Sequence, residues 1–224
     1  MASHPAVIVF DVNETLSDMA PMANRFTDVG APGHLAQRWF AMLLRDGFAL
    51  TAAGSQGKFA VLGAGTLHAV LAGVELDRDI EAAVEHVMAG FMTLSVHPDV
   101  VEAVRALRAA GYRLVTLTNG STAVAEGLFD RAGIGGEFDM LLSVEDVGVW
   151  KPAREAYQYA ARQCGVSVQE MLLVAVHPWD IDGAARAGLS TAWINRAGTE
   201  YPGYFTSATH TVSALTELPA VLSN

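Results

Sequence analysis

The chain has 224 residues, 51% of them apolar, which is enough to bury one medium-sized core with room for an inserted unit and too apolar for disorder. Its 24 acidic residues outnumber 14 basic ones, and the only lysines are Lys58 and Lys151. The net charge of -10 disfavours nucleic acid and anionic membranes as partners. The single cysteine, Cys164, excludes an internal disulfide and a thiolate metal cluster and reads as a packing residue on a helix.

Met1 to Pro5 has neither the basic start nor the apolar core of a signal peptide, and Ala6 to Phe10 is too short to span a bilayer, which predicts a soluble, cytoplasmic protein. The apolar run Val7-Ile8-Val9 predicts a buried strand that delivers Asp11 into the polar turn Asp11-Val12-Asn13-Glu14-Thr15. Nothing in a buried strand neutralises such a carboxylate, so its position suits a nucleophile better than a structural group. From Asp18 to Leu94 the pattern is helical, without a convincing strand. Leu35, Trp39, Met42 and Leu43 share one face; Leu67, Val70 and Leu71 share a second; Ile80, Val84, Val87, Met88 and Met92 share a third. Gly54-Ser55-Gln56-Gly57 is the most linker-like stretch and lies inside this helical region.

From about Asp99 onward, helices alternate with short strands. Val100, Val101, Val104 and Leu107 mark a helix that ends at Gly111, before a strand over 113–117. Val124 and Leu128 mark the next helix, Gly133 follows it, and 138–142 reads as a strand. A helix over 153–164, a strand over 171–176, a helix near 182–187 and a strand over 191–194 complete the series. The prediction is an α/β fold: a parallel-sheet core over 1–17 and 95–224, interrupted by a helical insertion over 18–94 that faces it across a small-ligand cleft.

Four polar clusters follow predicted strands, whose ends converge on one crevice in an open α/β sheet. They are Asp11 to Thr15, Thr118-Asn119-Gly120-Ser121, Lys151-Pro152 and His177-Pro178-Trp179-Asp180. Each alone reads equally as a helix cap or a turn. Their occurrence together, in this order, points to catalysis.

These motifs, with Phe10 to Leu16 intact and Trp193-Ile194-Asn195-Arg196 near the end, resemble the haloacid dehalogenase-like hydrolase superfamily over almost the whole chain. Within it the chain looks most like the type II (L-2-haloacid) dehalogenases. The resemblance implies a Rossmann-like parallel sheet core with an inserted helical cap domain, and no cofactor or metal. It also implies in-line attack by Asp11 on a short 2-haloacid, followed by hydrolysis of the ester to a 2-hydroxy acid, with halide released. Lys151 would keep Asp11 ionised by the opposite-charge effect. Asp180 would orient that lysine and help activate water, and Thr118 and Asn119 would receive the substrate carboxylate or the ester oxyanion. Arg45 would cradle the halide, with Arg38 as the less favoured alternative. Val12, Asn13, Thr15, Trp39, Phe59, Tyr157, His177 and Trp179 complete the expected substrate-contacting set. A homodimer is permitted by analogy alone.

Two positions separate this chain from the superfamily phosphatases. Those enzymes place an acid two residues after the nucleophile, where this chain has Asn13, and a metal-binding aspartate near what is here Ala175. A halide leaves without a proton, so neither group is required. The chain also departs from the dehalogenases, with Thr118 for the usual serine and Ala175-Val176-His177 for Ser-x-Asn. His177 reads as a donor to the leaving halide, fluoride included, as a group that shrinks the pocket, or as a packed histidine. A phosphatase or phosphonatase-like hydrolase and a non-catalytic binder of a small acid or a protein stay open as alternatives.

Overall fold

The computed structural model describes residues 4–223, so the Met1 to Ser3 start, on which the N-terminal reading rests, lies outside the described residues. Strand β1 (Val7–Phe10) has all four side chains buried, as an apolar run covered on both faces must. Val7 and Val9 pack into one apolar cluster and Ile8 and Phe10 into the other, so the two-residue strand period divides the core into two layers. The remaining strands are β2 (Arg113–Thr118), β3 (Met140–Ser143), β4 (Met171–Ala175), β5 (Ser190–Ile194) and β6 (His210–Val212). They form one parallel sheet in the order β3-β2-β1-β4-β5-β6.

Strand β1 is central, with Val9 level with Val115 on one side and with Leu173 on the other. The chain builds outward from it in both directions, which opens a crevice beyond its carboxyl end. Helices α1 (Met22–Thr27), α2 (Leu35–Ala52), α3 (Phe59–Leu71) and α4 (Ile80–Met92) form the insertion, and an antiparallel bridge between Ser17 and Val96 holds together the two chain segments that enter and leave it. Helices α5 (Val100–Ala109), α6 (Thr122–Ala132), α7 (Arg154–Cys164), α8 (Pro178–Ala187) and α9 (Leu218–Leu222) accompany the sheet. Val104 and Leu107 of α5 and Phe129 of α6 join the Ile8 and Phe10 layer, while Tyr157 of α7 and Ile181 of α8 join the Val7 and Val9 layer.

Trp39 is the centre of the inserted helices, fully buried, with its indole N–H donated to Gly63 O at 2.9 Å and Phe91 edge-on at 6.1 Å. Burying a side chain of this size is worth roughly 2–3 kcal/mol. Trp150, next to Lys151, ties the insertion to the core. Its backbone N–H donates to Thr51 Oγ1 and its indole to Gly57 O, both at 3.0 Å, and its ring lies against Gly47, where any side chain would collide with it. Phe59 N–H, at the start of α3, donates to Glu145 of the core at 3.1 Å.

The predicted elements are present, with local differences. Helix α8 begins at Pro178, so His177-Pro178-Trp179-Asp180 is the opening turn of a helix, whose first position suits the fixed φ of proline. β3 begins at Met140, and Phe138 instead stacks on Phe129 at 4.5 Å. Met92 ends α4 at 44% exposure, off the buried face expected for it. β6 and α9 were not anticipated, because β6 is three residues long with one buried side chain, too short for a period to register. Among the described residues, no helix is long and apolar enough to cross a membrane.

Candidate active site

Asp11 leaves the end of β1 with its N–H still donated to Val174 O of β4 at 3.1 Å, which aims its carboxyl group into the crevice. Both oxygens are engaged. Lys151 Nζ donates to Oδ1 at 2.9 Å and Thr15 Oγ1 to Oδ2 at 2.6 Å. The same ammonium donates to Asp180 Oδ2 at 2.7 Å, and the Tyr157 hydroxyl donates to Asp180 Oδ1 at 2.6 Å. Lys151, Thr15, Tyr157 and Asp180 are all 0% exposed. An ion cluster this deep persists only when each member has partners, and here each does.

The electrostatics follow from that geometry. Burial works against the Asp11 charge, but Lys151, His177 and the Thr15 hydroxyl outweigh it and hold the carboxyl below the ordinary carboxylate range. Burial likewise works against the Lys151 charge, and the two aspartates overcome it and hold the ammonium above the ordinary lysine range. Burial, opposed by Lys151 and reinforced by Asp11, pushes Asp180 up. At neutral pH the Asp11 carboxylate is ionised beside a fixed cation.

The neighbouring motifs hold this cluster in place. Thr15 Oγ1 also accepts the Val176 N–H at 3.1 Å, which ties the first turn to the loop after β4. Asn119 spends its amide on the lysine loop: Oδ1 accepts Lys151 N–H at 2.9 Å and Nδ2 donates to Lys151 O at 3.3 Å. It therefore positions Lys151. Thr118 Oγ1 accepts Gly120 N–H at 3.0 Å and keeps a hydroxyl hydrogen to donate. Ser143 Oγ, at the end of β3, donates to Gly120 O at 2.7 Å and fixes that turn. Helix α8 approaches the lysine loop so closely that a Cβ on Gly183 would lie 2.7 Å from the Tyr157 hydroxyl, so only glycine lets Tyr157 reach Asp180.

His177 caps the cluster on the open side. Its ring stacks on Trp179 at 4.9 Å, and Nε2 lies 3.2 Å from Asn13 O, 3.6 Å from Asp11 Oδ2 and 3.5 Å from Glu14 Oε2. A cleft of about 770 Å³ opens beyond it, lined by Glu14, His97, His177 and Arg196 among others. On the insertion side, Phe59 meets the motif: a Cβ on Gly120 would stand 3.7 Å from Asn13 Nδ2 and 3.9 Å from the Phe59 ring.

Asp11, Asn13, Thr15, Thr118, Asn119, Lys151, Tyr157, His177 and Asp180 thus come together at one place, with Phe59 and Trp179 at its margin. Other expected residues do not join them. Arg45 lies on the outer face of α2, its side chain 64% exposed and its Nε on Asp46 at 2.8 Å, and Arg38 is exposed on the same helix. A helix face turns by about 100° per residue, and this one presents Leu35, Trp39 and Leu43 inward, which leaves both arginines outside. The Val12 side chain packs in the Phe10 and Leu16 layer, away from the crevice. Trp39 is one layer behind Phe59, with Phe91 between them. Tyr157, by contrast, does join the site, through its hydroxyl on Asp180. Glu14 and Ser143 escaped the sequence reading because a charged residue in a turn and a serine at a strand end carry no pattern of their own. The one available signal for Glu14 was its place between Asn13 and Thr15.

The chain matches the haloacid dehalogenase-like hydrolase family over residues 5–188. It is 30% identical to (S)-2-haloacid dehalogenase 4A of Burkholderia cepacia over 217 residues, 96% of this chain and 94% of that protein. It is 37% identical to haloacetate dehalogenase H-2 of Moraxella sp. (strain B) over 125 residues, 56% of this chain and 55% of that one. A crystal structure of a dehalogenase with an intermediate complex superposes with a TM-score of 0.92 at 28% identity, covering 100% of both chains. With its motifs gathered around Asp11 as above, the chain belongs to the haloacid dehalogenase-like hydrolases and is similar, within them, to the (S)-2-haloacid, or L-2-haloacid type II, dehalogenases.

Proposed function

We propose that the chain is a hydrolytic dehalogenase of short 2-haloacids that works through an ester on Asp11 and needs no metal. The observation that carries this reading is Lys151 Nζ, 2.9 Å from Asp11 and 2.7 Å from Asp180 with no exposed surface. A cation built into the chain neutralises both carboxylates from the position between them. Asn13 is no general acid, which fits a leaving group that departs as a stable anion.

The chain's own groups then perform the reaction in two displacements. An Asp11 oxygen attacks C2 from behind the carbon–halogen bond, the halide leaves with the bonding pair, and C2 inverts. Whichever oxygen attacks, the other keeps a donor, Lys151 on Oδ1 or Thr15 on Oδ2, to stabilise the oxyanion when water adds to the ester carbon. The Thr118 hydroxyl and the backbone N–H groups opening α6 suit the substrate carboxylate. His177 and Phe59 close the space beside Asn13 and favour short acids. Relatives named for haloacetate and for (S)-2-haloacids support the same substrate class.

The test is halide release from fluoro-, chloro- and bromoacetate and from both enantiomers of 2-chloropropionate, with and without a chelator. Release from the chloro and bromo acids, indifferent to chelation, is expected. No release from any acid, or loss of all activity on chelation, would contradict the proposal.

A further inference from the structure

Three acceptor oxygens of the turn after β1 converge on one point, and a side chain from another loop occupies it. His177 Nε2 lies 3.2 Å from Asn13 O, 3.6 Å from Asp11 Oδ2 and 3.5 Å from Glu14 Oε2. A backbone carbonyl and ionised carboxylates only accept, so the nitrogen among them carries a hydrogen. Both the neutral Nε2–H ring and the imidazolium supply that hydrogen, and it is donated to the nearest oxygen, Asn13 O. Trp179, stacked on the ring at 4.9 Å, holds it in place.

Without the ring, the same oxygens are a different object. One carbonyl and two carboxylates turned to a common point are the ligands that hard divalent cations take, at about 2.1–2.5 Å from each oxygen. The junction is within reach of ions from solvent, because Glu14 and His177 line the cleft of about 770 Å³, with side chains 39% and 12% exposed. Its oxygens also need a positive partner: burial, opposed by His177 and reinforced by Asp11, pushes the Glu14 carboxyl group up, so the two carboxylates repel each other across the gap. Glu14 is nevertheless held there with φ at 63°, the left-handed region that glycine occupies freely and other residues enter at a cost. A glutamate at a glycine-like position adds an acceptor that the turn itself does not require.

Resting on the dehalogenase reading above, we propose that the Nε2–H of His177 fills a latent divalent-cation site formed by Asn13 O, Asp11 Oδ2 and Glu14 Oε2, and so keeps metal off the nucleophile. The ring is a substitute built into the chain. It turns a positive hydrogen toward all three oxygens, ties the turn down through Asn13, and takes the space an ion would need. Asp11 then meets the substrate with its charge balanced by Lys151 and Thr15. A divalent ion on Oδ2 would be a larger local charge than either, and would draw electron density from the carboxylate that has to attack C2. His177 is in this role a positioning residue, acting through Asp11 and Asn13.

The test is Mn²⁺ binding to the intact protein without substrate, followed by electron paramagnetic resonance, together with ¹⁵N NMR of the histidine rings. In wild type the His177 ring, assigned as the resonance missing from His177→Gln, should carry a proton on Nε2 at neutral and at alkaline pH alike. His177→Ala should take up about one Mn²⁺ per chain more than wild type, and Glu14→Gln in that background should weaken this ion at least about tenfold, because affinity follows the number of charged ligands. His177→Gln, whose amide N–H₂ reaches about as far as Nε2, should exclude the ion as wild type does. A neutral His177 ring with its proton on Nδ1, equal Mn²⁺ uptake by wild type and His177→Ala, or an added ion that Glu14→Gln leaves undisturbed would overturn the proposal. A wild type that releases no halide would remove the dehalogenase reading, and the Mn²⁺ result would still decide whether His177 fills the site.

Discussion

The core and the inserted helices meet at the same crevice but bring different things to it. The core supplies the polar groups that surround Asp11, each from the end of a strand or from the turn or loop that follows: Thr15 after β1, Lys151 between β3 and α7, Asp180 and His177 after β4. The insertion supplies apolar surface, with Phe59 at the margin and Trp39 and Phe91 behind it, and leaves its expected arginine, Arg45, in solvent. A strand end fixes where its next residues point, because register and pairing on both sides hold the backbone. A helix fixes only a face, and an arginine one position off that face points elsewhere.

The sharpest way to break the comparison is at the nucleophile. Asp11→Asn should lower halide release by about 10⁴-fold or more while leaving the fold intact, as judged by near-UV circular dichroism. Next comes the fixed cation. Lys151→Met leaves Asp11 and Asp180 as two buried carboxylates without a counter-ion and should cost about 3–5 kcal/mol in urea unfolding at neutral pH. The pH dependence has a definite sign. Lys151 is the largest of the influences that lower Asp11, so without it the Asp11 carboxyl protonates at higher pH, and the acid limb of any residual activity shifts upward. An unchanged urea midpoint would mean that the buried ion cluster is not what the distances imply.

Smaller effects test how the helices are placed. Gly183→Ala would force α8 away from Pro152 and Tyr157 and should cost about 1–3 kcal/mol, with a fall in activity because Tyr157 no longer holds Asp180. Arg45→Ala should leave both the urea midpoint and turnover unchanged, since its ion pair with Asp46 is solvent-exposed. A tenfold loss of activity in Arg45→Ala would show that the insertion does bring a charge to the reaction, and the division between the two regions would fail.

The same division explains what the sequence made legible. Asp11, Lys151 and Asp180 could be read because each polar group interrupts or follows an apolar period, and three such interruptions can meet only at one edge of a parallel sheet. Three of the four inserted helices were readable from their periods, and Leu35, Trp39 and Leu43 do point inward, whereas the six residues of α1 are too few to show one. What could not be read was rotation and reach. Arg45 and Arg38 needed a helix phase that the pattern did not resolve, and Asn119 and Tyr157 turned out to serve Lys151 and Asp180. The contact between Glu14 and His177 spans 163 positions of sequence and depends on a left-handed backbone that no composition signals.

A single-turnover reaction in ¹⁸O-labelled water, with protein in excess over 2-chloropropionate or chloroacetate, decides whether Asp11 is the nucleophile. If the ester forms on Asp11, the first hydroxy acid released carries an unlabelled oxygen taken from that side chain, and the label is found in the Asp11 peptide. Label in the first product and none in the peptide would mean that water attacks the substrate directly, and that Asp11 is not the nucleophile.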